Sequence, residues 1–139
     1  MDKTLANTEA LPLKGRAATM VWIRYGSLLM LAGVALGAFG AHGLKETLSA
    51  DAKQTYQTAV LYHLIHGLAL LLVGWLSTVK PHEPLVSRAG WAFMLGIVLF
   101  SGSLYLLSVT GMKKLGMITP FGGLALLLGW LCLALSAKP

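Results

Sequence analysis

The feature that most constrains this chain is the gathering of its apolar residues into four long blocks, each bounded by the few charged residues present. The blocks run from about Trp22 to Ala41, Thr58 to Thr78, Ala89 to Val109 and Met117 to Ala137. A helix rises about 1.5 Å per residue and the hydrocarbon layer of a bilayer is roughly 30 Å thick, so one crossing takes about 20 apolar residues. All four blocks meet that length. The only charged residue inside them is Arg24, near enough to an end to snorkel toward the headgroups. Barrel strands would alternate between polar and apolar residues, and these runs do not. The sequence therefore predicts an all-α integral membrane protein, a four-helix bundle of four transmembrane helices spanning 21–138. A polar tail at 1–20 precedes it, in which Pro12 and Gly15 break any helix.

Composition closes off the main alternatives. Of 139 residues, 56% are hydrophobic and 12% charged, too few charges for a water-soluble domain of this size. The net charge of +6 does not point to nucleic acid. Lys and Arg cluster beside the blocks, where they hold topology and touch anionic lipid, and no basic face is interleaved with aromatic rings. The first block is longer than the apolar region of a cleaved signal and is read as a retained span. Cys132, the single cysteine, lies in the last block and has no intramolecular disulfide partner.

The connections carry helix punctuation. Ser49 followed by Asp51 predicts the capped start of a second helix ahead of the membrane. Pro81 and Pro84 make the segment at 79–88 a turn. Gly111 suits a helix C-cap, and Thr119 followed by Pro120 suits an N-cap with a first-turn proline. Lys and Arg number seven on the side of the tail, the second connection and the C-terminus, against four in the first and third connections. That bias predicts both termini in the cytoplasm.

Inside lipid, helices associate through close backbone approach along stripes of small residues. Gly26, Gly33 and Gly40 lie seven apart in the first block, with Gly37 beside them. Gly67 and Gly74 repeat the spacing in the second block, Gly96 and Ser103 in the third, and Gly122, Gly129 and Ser136 in the fourth. These positions are read as helix-packing seams.

Polar groups within the spans are the places to look for chemistry. His63 and His66 share a helix face, and an antiparallel neighbour brings His42 to the same boundary, so three imidazoles offer a candidate cluster for zinc, copper or haem. The simpler reading is that these histidines hydrogen-bond to carbonyls or to each other and tie the first helix to the second. Ser101, Tyr105 and Ser108 form a polar stripe on the third helix, which either bonds across helices or lines a transport path. No intramembrane carboxylate is present to carry protons, and no serine sits in a nucleophile elbow. The residues predict no catalytic site, no metal site and no cofactor. The expected partners are the lipid bilayer and either a larger membrane complex or further copies of the chain.

Four segments together, GAFGAHGL at 37–44, YHLIHGLALLL at 62–72, LFSGSLYLL at 99–107 and ITPFGGLALLLGW at 118–130, resemble the bacterial membrane family known as domain of unknown function 423. Animal transmembrane protein 256 is more distantly similar. The resemblance covers nearly all of 22–137 and implies a small multi-span inner-membrane protein. It supplies no catalytic residues. Its motif positions include Gly40, His42, Gly43, His63, His66, Ser101, Gly102, Ser103, Tyr105, Thr119, Pro120, Gly122 and Gly123. The resulting expectation is a non-enzymatic accessory or self-associating membrane subunit, with metal or haem binding and transport as the alternatives.

Overall fold

A computed structural model describes residues 13–137 of the chain. The polar segment at 1–12 and the terminal Lys138, which entered the charge count, lie outside the described residues. Four long helices follow one another: α1 (Leu13–His42), α2 (Ala50–Val79), α3 (Pro84–Thr110) and α4 (Thr119–Ser136), the last preceded by a 3-10 turn at Lys113–Met117. Each holds a stretch long and apolar enough to cross a membrane, so the chain is an all-helical four-span protein. Helices satisfy every backbone group within a segment, which is the condition lipid imposes.

The helix ends follow local chemistry. Ser49 caps α2, its hydroxyl accepting from the Ala52 N–H at 3.2 Å, with Asp51 in the first turn against the helix dipole. At the far end the Lys80 N–H donates to the Leu76 carbonyl at 2.8 Å. Three residues later Glu83 caps α3 by accepting from the Leu85 N–H at 3.1 Å, with Pro84 opening the helix. Gly111 ends α3 at φ 70°, a left-handed conformation that glycine adopts without strain.

Two local expectations change. Helix α1 is already formed at Leu13 and continues through Gly15, where the sequence predicted a break. A glycine costs only about 1 kcal/mol relative to alanine in a helix interior, too little to end one that runs on into an apolar block. At the other helix start, Ile118 rather than Thr119 occupies the N-cap of α4 and makes no side-chain capping bond. The Thr119 hydroxyl is instead engaged with Ser103 at 2.8 Å, linking α4 to α3.

Helix α1 packs along α2, α3 packs along α4, and α2 joins the two pairs by lying against α3. The buried apolar core, built on Trp22, Leu70, Val73, Val86, Phe93 and Leu126, lies toward the side of the second connection. On that side the Lys80 ammonium donates to the Ser136 carbonyl at 2.6 Å, closing off the C-terminal end of α4. Helix α3 is not regular throughout: Ile97–Ser101 is wound as π-helix, with the Gly102 N–H donating to the Ile97 carbonyl.

Candidate functional site

The small residues sit where two helices approach. On α1, a Cβ added to Gly26 would lie 2.8 Å from Leu71 Cδ2, one on Gly33 2.8 Å from Leu64 Cδ2, and one on Gly37 3.2 Å from Val60 Cγ1. Gly40 faces the ring of Tyr56. From the other side Gly67 meets Met30 and Gly74 meets Ile23. Between α3 and α4, Gly96 faces Leu126, Gly129 faces Phe93, and Gly122 lies directly against the backbone of Phe100. The last is the closest approach in kind, because the opposing atoms are main chain and have no rotamer with which to yield. Ser103 joins the same seam through Thr119 and also donates to its own Phe100 carbonyl at 3.0 Å. Gly90, packed on the Trp22 ring, belongs to the contact between α3 and α1. It lies six residues before Gly96, off the seven-residue spacing by which seams were sought.

The three histidines do not converge. His42 is exposed at the last turn of α1. Among the described residues no group of three His, Cys, Asp or Glu side chains is placed to hold a metal ion. His63 and His66 are both buried: His63 pairs with Tyr105 of α3 and lies against the Leu29 backbone of α1, and His66 bonds Trp130 of α4 and the Tyr62 carbonyl of its own helix.

His66 is fully used. The Trp130 indole N–H donates to its Nε2 at 3.1 Å, so Nε2 is the acceptor nitrogen and Nδ1 carries the proton that goes to the Tyr62 carbonyl at 2.7 Å. This pattern fixes one neutral tautomer and leaves no lone pair for a metal. His63 is half used. Its Nδ1 pairs with the Tyr105 hydroxyl at 3.3 Å. Its Nε2 is buried with no partner in hydrogen-bonding geometry among the described residues, while the ring lies against the Leu29 backbone of α1.

The stripe on α3 divides in the same way. Tyr105 reaches His63, and Ser108 donates back to the Tyr105 carbonyl at 2.8 Å. Ser101, 1% exposed, leaves its hydroxyl oxygen without a hydrogen-bond partner among the described residues, at the end of the π-wound segment. Ser101 lies one turn before Tyr105 on α3, and its oxygen and Nε2 of His63 are the two buried side-chain polar atoms left without a partner among the described residues. Tyr56 completes the polar half: its hydroxyl donates to the Leu36 carbonyl of α1 at 2.8 Å, and its ring packs edge-on against Tyr105 at 5.0 Å. Sequence reasoning passed over Tyr56 and Trp130. Their signal was present, since an aromatic residue with a polar handle in an apolar span seeks a partner.

Residues 36–123 match the family described as "Protein of unknown function (DUF423)". The chain is 44% identical over 117 residues to the UPF0382 membrane protein YwdK of Bacillus subtilis, covering 84% of this chain and 95% of that protein. It is also 44% identical over 116 residues to the UPF0382 membrane protein SH2409 of Staphylococcus haemolyticus, covering 84% and 93%. A relative from Staphylococcus aureus, SAB0533, is 41% identical over 116 residues, with the same two shares. No solved structure matches the chain. The apolar spans, the helical architecture and this similarity agree: the chain belongs to the DUF423 (UPF0382) family of multi-pass bacterial membrane proteins.

Proposed function

We propose that this chain is a non-enzymatic subunit of the bacterial inner membrane, with both termini cytoplasmic, that works by associating with a larger membrane complex or with further copies of itself. The observation that carries this reading is the exposure of the outer side of α1. Only 17% of its apolar window is buried, against 44% for α2. Its outward side carries Arg24, Ser27, Leu31, Ala35, Ala38 and His42 at spacings of three and four, all exposed. Small residues on such a stripe permit close approach of another helix, and a polar group at each end supplies hydrogen bonds that lipid cannot. The polar side chains of Tyr56, His63, His66 and Ser103 support a structural role, because each ties one helix to another.

The test is isolation from native membranes in mild detergent, followed by mass measurement and identification of co-purifying proteins. A larger assembly that is lost on Ala35→Leu/Ala38→Leu supports the reading. A wild-type monomer that brings nothing with it sinks it.

A second reading rests on the unpartnered Nε2 of His63: a bound metal or haem using that nitrogen. It predicts metal near one equivalent or a Soret band, either lost on His63→Ala. Less than about a tenth of an equivalent of metal, with no visible absorbance, removes it.

A further inference from the structure

Beside the end of α1 and the start of α2 lies a groove of about 530 Å³. Gly37, Gly40 and Tyr56 form its floor, the Tyr56 ring lying directly against Gly40. Val60, Leu61 and Leu64 line it deeper along α2. At the mouth stand Lys45, Lys53 and Gln57. Neither ammonium group has an ion-pair or hydrogen-bond partner among the described residues, and the acidic residues of the same connection, Glu46 and Asp51, do not line the groove.

The dimensions and chemistry together specify a lipid. From Lys53 to Leu64 the helix advances roughly 16 Å, about half the hydrocarbon thickness and so the depth of one leaflet. The wall is apolar over that depth and cationic only at the water boundary. An acyl chain matches the first part and a phosphate the second, since lysines near a membrane surface attract anionic headgroups. Gln57 adds an amide donor for a phosphate or glycerol oxygen. We propose that this groove is a binding site for a glycerophospholipid with an anionic headgroup, its acyl chain against Gly37, Gly40 and Val60 and its phosphate between Lys45 and Lys53. The site is independent of the association proposed for α1, whose stripe faces outward.

The test uses the full chain, delipidated in mild detergent and offered phosphatidylglycerol or phosphatidylethanolamine of matched acyl chains, with bound lipid counted by native mass spectrometry. Phosphatidylglycerol is expected to be retained preferentially. Lys45→Gln/Lys53→Gln is expected to lower that retention about 25-fold, each lysine near the phosphate contributing roughly fivefold. Lys113→Gln/Lys114→Gln removes the same charge from the same side of the bundle, away from the groove, and is expected to leave retention unchanged. Equal retention of the two lipids by the wild-type chain overturns the proposal, as does an equal loss in the two double variants. Release of the bound lipid by excess inorganic phosphate also overturns it, since the lysines would then recognise the free anion.

Discussion

The two ends of the bundle are held by different forces. Toward the second connection, Trp22, Leu70, Val73, Val86 and Phe93 fill the space between helices with apolar side chains. Toward the first and third connections, Tyr56, His63, Tyr105, Ser103 and Thr119 join the helices by hydrogen bonds. In water the first end would be stabilised by the expulsion of solvent. In lipid that term vanishes, because an acyl chain is as apolar as a leucine, and what remains is dispersion and fit. The difference teaches that an apolar core in a membrane bundle is a packing device, whereas the polar end specifies which helix faces which.

Breaking the packed end has the largest expected effect. Phe93 is fully buried and touches the rings of His66 and Trp130. Phe93→Ala leaves a cavity without the cost of transfer to water, and a loss of about 2 kcal/mol, the cavity part alone, is expected in thermal or denaturant unfolding in detergent. A loss of 4 kcal/mol or more, the size of the same change in a soluble core, would show that water reaches this end.

Next in size is the junction between the two ends. Trp130→Phe keeps a ring against Phe93 and removes the donor to His66, so a loss of about 1 kcal/mol is expected in the same assay. His66 would then present a free Nε2, and the expected signature is a change in its imidazole nitrogen shifts by NMR. Unchanged shifts would mean that the indole does not hold the tautomer.

At the polar end, Tyr105→Phe removes the side-chain partner of His63 and is expected to cost roughly 0.6 kcal/mol, the average for a hydrogen bond between membrane helices. Ser101→Ala sharpens the comparison most finely. Its hydroxyl oxygen has no partner among the described residues, so stability is expected to be unchanged or slightly higher. A loss above about 1 kcal/mol would reveal a bound water or ligand at that oxygen.

The spans, the caps at Ser49 and Gly111 and the glycines between helices were legible in sequence, because each follows from a local rule: length against bilayer thickness, a short polar residue at a helix start, a small residue where backbones meet. The partners of the polar residues were not. Nothing local says that His66 turns to Trp130, 64 positions away, or that Thr119 abandons its capping role for Ser103. Those choices depend on which helix α2 lies against, and apolar blocks of equal length do not rank their neighbours. The π-wound turn was equally hidden, since Ile97–Ser101 reads as one more apolar stretch.

That wide turn has a consequence for how the third span is phased. Each residue of an α-helix advances the face by about 100°, so one additional residue swings everything beyond it through more than a quarter circle. By taking up its extra length between Ile97 and Ser101, the rod lets Phe93 address the packed end while Ser103 and Tyr105 still find Thr119 and His63. The third span is thus two half-rods set in different rotational registers, and the splice between them keeps one sequence in step with three neighbours.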